Sequence, residues 1–526
     1  MLTPIQVPCD ENIIRSRPAR APCSKIAGRW VLVATTLASS MAFIDSTVVN
    51  VALPALQTNL NATIVDVQWV IEAYSLLLSA LLLVGGSLGD QYGRRRVFMV
   101  GVALFAAAST WCGLAPNIGQ LIVARAAQGL GAALLVPGSL AIISSSFPEN
   151  ERGRAIGTWS GFSAITTAIG PVIGGWLIEH VSWRAVFFIN VPIALLIILI
   201  SRRCVPESSD TEAKGLDWLG AISVTLGLGA LVYGLIESSQ FGFGAQSVRA
   251  ALFTAVVILA SFTVIEARVS NPMLPFALFR SRTFGGANLL TLLLYGALGG
   301  SLFFLPLNLI QVQHYSATAA GAAFLPFVLI MFLLSRWAGG LVERYGPKIP
   351  LVVGPLIAAL GFGLFILPGV NAGYWQNFFP AVVVLGAGMT ITVAPLTTTV
   401  MNSAMQSRVG IASGINNAVA RGAGLLAIAV LGIVMVHSFD HAMDQRLADR
   451  NVPPAEQESL KAQRNKLAAV SLPDGLDQTT KQLIGHAIAE SFVHAFRVIM
   501  AIAATLAVVG AIVAWIFIGT TREAPG

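Results

Sequence analysis

The sequence predicts an all-α polytopic membrane protein: two six-helix bundles with two further helices inserted between them, fourteen spans in all. Three observations predict it. Of 526 residues, 55% are hydrophobic and only 11% charged, against about 25% charged in a soluble domain, so the apolar surplus must face lipid. The apolar residues fall in long runs separated by short polar turns, and about 20 such residues cross a bilayer. One loop pattern occurs twice, as Gly86-Ser-Leu88-Gly-Asp90-Gln-Tyr-Gly93-Arg94-Arg95-Arg96 and as Gly339-Gly-Leu341-Val-Glu343-Arg344-Tyr-Gly346-Pro-Lys348. Each copy separates two apolar runs, and a duplicated loop implies a duplicated bundle.

The runs predict spans at 30–52, 67–88, 97–115, 119–143, 155–178, 185–203, 217–237, 249–267, 284–309, 317–341, 350–368, 377–400, 410–436 and 493–518. The loop copies follow spans 2 and 10, which places the inserted pair at spans 7 and 8. The expected divisions are a tail over 1–29, a first bundle over 30–203, a linker with the inserted helices over 204–283, a second bundle over 284–518 with a long loop at 437–492, and a tail over 519–526.

Basic residues set the orientation. With the N-terminus cytosolic, the cytosolic segments hold 20 Lys and Arg, while the short outer loops hold Arg184 and Arg249. Both termini are therefore expected in the cytosol, with the chain in the plasma (inner) membrane of a prokaryote. The first apolar run is too long for a cleaved signal core. Long loops escape the positive-inside rule, and the 437–492 loop is expected outside. There it would form short surface helices, broken at Pro453-Pro454 and Pro473, as a solvated cap on one mouth.

The net charge of +7 is scattered over short loops, which excludes a nucleic-acid surface. The four cysteines are dispersed without metal-ligand spacing. No Gly-x-x-x-x-Gly-Lys-[Ser/Thr] loop is present to bind ATP, and no nucleophile elbow or His-Glu-x-x-His is present for an enzyme. No cofactor is expected. The expected partners are a small-molecule substrate, protons and the bilayer, and the chain is expected to work as a monomer. Whether a periplasmic adaptor joins it is left open.

The duplicated loop resembles the signature of the major facilitator superfamily of secondary transporters. Further stretches narrow the resemblance: Phe43-Ile-Asp45-Ser-Thr47-Val-Val-Asn50-Val-Ala52-Leu53-Pro54, Arg125-Ala-Ala-Gln128-Gly129-Leu-Gly131, Gly170-Pro171-Val-Ile-Gly174-Gly175, Trp183-Arg184-x-x-Phe187-x-x-Asn190-x-Pro192 and Phe262-x-x-x-Glu266-x-Arg268-x-x-x-Pro272-Met273-Leu274-Pro275. Together they are similar to the fourteen-span drug:proton antiporters. The resemblance implies proton-driven export of small amphipathic or cationic compounds such as drugs, antiseptics or antibiotics. The alternatives are export of one secreted metabolite and import of a solute. Val205-Pro206-Glu207-Ser208 is similar to the sugar-importer signature but lacks its following Pro-Arg. One antiporter glycine upstream of Gly170 is replaced by Thr166.

Several residues carry the expected chemistry. Asp45 lies past the midplane of span 1, where a carboxylate is costly unless paired, solvated or protonated. It is either a proton or cation site, or a cap bonded to Ser46 or Asn50. Arg125, inside span 4, keeps its proton and is a fixed charge; the resemblance gives it a role in proton coupling. Glu72, one turn inside span 2, would bind a cationic substrate, take a second proton, or reach interfacial water. Tyr74, Asn50, Arg421 and Asn417 complete the substrate-binding candidates, with Arg421 facing a cavity of the second half. Gly86, Asp90, Gly93, Arg94 and Arg95, with Gly170, Pro171, Gly174 and Gly175, form the conformational motifs. In the first, the acid is expected to receive the N-terminus of a neighbouring helix. In the second, small residues permit close packing and proline permits a kink.

The orientation is checked by cysteine labelling. An impermeant maleimide applied outside should modify Gln457→Cys and spare Ser209→Cys.

Overall fold

The computed structural model describes residues 25–209, 217–269, 272, 274–403, 409–449, 460, 463–470 and 478–519. Residues 1–24 of the tail, Pro453-Pro454, Pro473 and residues 520–526 lie outside that description. Thirteen of the described helices are long and apolar enough to cross a membrane, and Lys348–Leu364 is a shorter apolar fourteenth.

The helices fall at the expected spans. The first six are Lys25–Leu60, Ile64–Tyr92, Arg94–Leu114, Ile118–Ser146, Glu149–His180 and Ala185–Cys204, the last with a turn break before Asn190. Spans 7 and 8 are Trp218–Phe241 and Gln246–Arg268. The remaining six are Arg282–Val312, Ala317–Gly339 with a break before Leu325, Lys348–Leu364, Tyr374–Asn402, Val409–Asp449 and Gln478–Phe517.

Local chemistry sets the ends. Thr63 and Asp66 form a reciprocal capping box that starts span 2, with Thr63 N donating to Asp66 at 2.8 Å and Asp66 N to Thr63 Oγ1 at 3.2 Å. Asn117, Asp217, Ser281 and Ser316 cap spans 4, 7, 9 and 10. Gly93 ends span 2 at φ +107°, a conformation open to glycine. Span 11 has 17 residues, about 25 Å at 1.5 Å per residue; the turn through Phe365 to Leu367 extends it towards Pro368-Gly369.

The packing repeats with a shift of eight. In the first six helices span 1 packs on spans 5 and 6, span 2 on 4, and span 3 on 4 and 6. In the last six, span 9 packs on spans 13 and 14, span 10 on 12, and span 11 on 12 and 14. These are two six-helix bundles of one design. The cross-contacts obey the same shift, because span 2 meets 13 and span 10 meets 5. Span 7 lies on spans 2 and 13, and span 8 packs on span 7. The inserted pair therefore covers one of the two seams.

The bundle has an arginine end, which carries Arg94–Arg96, and an opposite end, which carries the 437–492 loop. Contacts between the bundles gather at the opposite end. Gln68 donates to Ile428 O at 3.1 Å, Gln311 to Gln57 at 2.7 Å and Thr318 to Glu179 at 2.6 Å. Gly175 and Gly321 let spans 5 and 10 touch backbone to backbone; a Cβ on either would collide with Ala317 O or Pro171 O. Gly170 and Gly174 turn instead to Thr47 and Val48 of span 1. The glycine motif thus serves two neighbours, and span 5 stays helical through Pro171.

The long loop is more than a solvated cap. Spans 13 and 14 extend past their apolar stretches and bury Phe439, Met443, Leu447, Ile484 and Ile488 with Leu460 and Leu467 in one apolar cluster. Residues Arg464–Ala469 form a short helical turn there. Lys466 Nζ donates to Asn61 at 2.6 Å, and Arg464 pairs with Asp444. The turn therefore ties the first bundle to the second.

A branched residue at the glycine contact should open this closed end. Gly175→Val is expected to raise the maleimide reactivity of Val51→Cys, a buried site beside the vestibule at that end, severalfold over the parent.

Candidate functional site

Asp45 and Arg125 meet in the middle of the first bundle, each with a side chain only 1% exposed. Span 1 runs unbroken through Asp45, so this residue is no cap. Arg125 Nη1 donates to Asp45 Oδ2 at 2.5 Å and to Gln128 Oε1 at 2.6 Å, while its Nε donates to Val70 O at 3.0 Å. Gln128 Nε2 donates to Asp45 Oδ1 at 2.7 Å and to Ser109 Oγ at 2.7 Å. Asn190 Nδ2 donates to Asp45 Oδ1 and Ser109 Oγ, both at 3.2 Å. The Tyr74 ring lies 4.3 Å from the guanidinium carbon, close enough for a cation–π contact.

Spans 1, 2, 3, 4 and 6 all contribute to this network. A buried ion pair repays desolvation only where further hydrogen bonds satisfy both ions, and here Asp45 accepts three. Ser46 and Asn50 bond within span 1 instead, to Phe43 O and Ser46 O. Sequence reasoning quoted Gln128 and Asn190 inside motifs without giving them roles. Gln128 was legible, since it stands three residues from Arg125 and so on the same helix face. Ser109 carried no signal.

Glu72 is fully buried, and neither carboxylate oxygen has a hydrogen-bond partner among the described residues. It does not reach interfacial water in this conformation. It lies one turn from Gln68 on the face directed at span 13. Span 7 meets span 2 on a neighbouring face, where Trp69 Nε1 donates to Glu237 at 3.1 Å.

In the second bundle Asn416 donates to Asn288 at 3.2 Å and Thr291 at 2.7 Å, tying span 13 to span 9. Asn417 is exposed and bonds its own helix at Ser413 O. Arg421 is half-buried and near enough to Tyr74 for electrostatic interaction.

At the arginine end Asp90 pairs with Arg94 of its own loop, at 2.8 and 2.7 Å. The carboxylate that receives a helix N-terminus is Glu207, not Asp90: Arg95 N donates to Glu207 Oε1 at 3.0 Å. Glu207 also faces Arg95 and Arg96 at 3.7 and 3.6 Å, and Arg94 N donates to Ser208 O at 2.8 Å. The importer-like stretch after span 6 is thus the clamp on this loop. The pattern missed it because the partners lie four helices apart.

A family model described as Major Facilitator Superfamily matches residues 35–428, and the chain belongs to that superfamily. It is 33% identical over 504 residues to the tetracenomycin C resistance and export protein of Streptomyces glaucescens, covering 94% of this chain and 93% of the relative. It is 34% identical over 496 residues to the multidrug resistance protein Stp of Mycobacterium tuberculosis, covering 91% and 90%. It is 33% identical over 499 residues to the puromycin resistance protein pur8 of Streptomyces alboniger, covering 94% and 92%. The fold is shared with an inward-facing, unoccupied bacterial homologue of the human lysosomal transporter Spinster, at TM-score 0.67 and 18% identity, covering 96% of this chain and 100% of that one.

The network predicts a rescue. Arg125→Met should cost about 3–5 kcal/mol by leaving a buried carboxylate unpaired. Adding Asp45→Asn in the same chain should recover most of that loss in detergent unfolding.

Proposed function

We propose that the chain is a proton-driven exporter of small amphipathic drugs or antibiotics, working as an antiporter in the bacterial plasma membrane. Three relatives of nearly full length are named for resistance or export, and that supports the cargo class. The observation that carries the coupling is the Asp45–Arg125 network. Asp45 is the carboxylate that takes up a proton, and Arg125 is the fixed charge that holds it ionised when the proton has left. Gln128, Asn190 and Ser109 keep the acid in place through both states.

The bundles are assigned to 30–203 and 284–518, with the inserted pair between them. On the positive-inside rule the arginine end is cytosolic, as are both termini. The closed end then faces outward, which fits an inward-facing step of the proposed cycle. Cargo binding from the cytosol lets the outer contacts at Gln68, Gln311 and Gly175 part. Once cargo has left, protonation of Asp45 from the outer side loosens its hold on Arg125, and spans 1 and 4 shift. Those contacts re-form before the proton leaves to the cytosol. Glu72 lies one turn below the Gln68 contact, so outward opening exposes it to protons and to cationic groups on cargo.

In everted vesicles with an imposed proton gradient, Asp45→Asn should abolish drug accumulation at normal expression. Arg125→Lys should fail as well, because a point ammonium does not reproduce the guanidinium fork. Full activity in either variant would remove the coupling assignment.

A further inference from the structure

The seam between spans 2 and 13 is sealed towards the closed end, where Gln68 bonds Ile428 O. Nearer the arginine end the same two helices stand apart. A cavity of about 460 Å³ lies there, a volume within the usual ~300–1,000 Å³ of small-molecule sites. Leu83 of span 2, Leu289 of span 9 and Ala418 of span 13 line three sides. Leu228 of span 7 and Phe262 of span 8 line the fourth. The inserted pair therefore walls off a gap that the two bundles leave between them.

The wall is uncharged. Among the described residues no Asp, Glu, Lys, Arg or His lines the cavity, so Glu72 and Arg421 are outside it. The buried acid Glu266 stands at its edge and accepts the N–H of the wall residue Leu274 at 3.0 Å. Two wall side chains are polar. Asn288 is engaged, with Nδ2 donating to Phe284 O at 2.9 Å and Oδ1 accepting from Asn416 at 3.2 Å. Ser79 Oγ has no hydrogen-bond partner among the described residues. A charged group placed here would lose its water and meet no wall counter-ion, which is costly. An uncharged apolar body would meet apolar side chains and one hydroxyl still to be bonded.

Two wall glycines show that the space is open. A Cβ on Gly422 would meet nothing within 4 Å, and one on Gly285 would meet only Phe279 O, at 3.9 Å. Glycine weakens a helix by about 0.5–1 kcal/mol relative to alanine. At Gly422 no neighbouring helix demands the missing side chain, so what the glycine provides is room in the cavity.

We propose that this cavity binds uncharged lipophilic molecules a few fused rings in size, with Ser79 available for a single hydrogen bond. A phospholipid suits it less, because its charged head would find no partner on this wall. The site deepens the exporter reading for uncharged cargo, and rests on that reading only in taking the bound molecule to be cargo.

The test is calorimetric titration of the purified full-length chain in neutral detergent with three probes of one shape: anthracene-2-methanol, anthracene-2-carboxylate and anthracene-2-methylammonium. The alcohol should bind the parent more than tenfold more tightly than either ion. Gly422→Phe fills the cavity from span 13 and Gly285→Leu from span 9. Each should weaken alcohol binding at least tenfold with the unfolding midpoint held, and because micelle uptake is common to all the proteins, the difference reads the site. Phe262→Ala, which adds no bulk, should weaken it severalfold by opening the outer wall. Equal binding of the three probes, a preference for either ion, or alcohol binding that survives Gly422→Phe and Phe262→Ala would each overturn the site. Displacement of the alcohol by added phosphatidylcholine would assign the cavity to a lipid chain and overturn this occupant. A parent that binds the alcohol here but does not accumulate it in everted vesicles keeps the site and loses the exporter reading. Accumulation that persists in both filled variants keeps the exporter and removes this cavity from its path.

Discussion

The ion pair between Asp45 and Arg125 is the constraint on which the first bundle turns. Two opposite charges at membrane depth are tolerable only together and only when hydrogen-bonded. Meeting that condition takes a carbonyl from span 2, a hydroxyl from span 3, amides from spans 4 and 6, and an aromatic face from span 2. The helices must therefore keep their relative positions to within a hydrogen-bond length. In the proposed cycle a proton on Asp45 is the smallest change that relaxes this condition.

The second bundle repeats the packing but not the charges. Spans 9 and 12, which answer spans 1 and 4 under the shift of eight, contain no acid and no arginine within Thr283–Asn308 and Phe379–Asn402. Their polar contacts are neutral, such as Asn416 with Asn288 and Thr291. Arg421 of span 13, near Tyr74 of span 2, has neither an acid nor a hydrogen-bond partner among the described residues. In the proposed cycle the first bundle handles the proton.

Much of the fold was legible because hydropathy and a repeated loop are strong, local signals. Each span was visible as an apolar run, Lys348–Leu364 included. Asp45 and Arg125 stood out as charges where charge is expensive. Their pairing did not, since residues 80 apart in sequence meet only in the folded bundle. The Glu207 clamp was hidden for the same reason, 112 residues from Arg95. The folded core beneath the 437–492 loop was missed because Phe439, Met443, Ile484 and Ile488 continue the helical period of spans 13 and 14 beyond the apolar stretches, and charge content masked that period.

The most direct measurement is proton release on drug binding. Purified chain in weakly buffered detergent, with a pH indicator, is mixed with a drug shown to be exported by it. The account predicts that binding releases protons from the parent and none from Asp45→Asn with intact drug affinity. Equal release from both proteins would contradict it, because the coupling proton would then reside elsewhere.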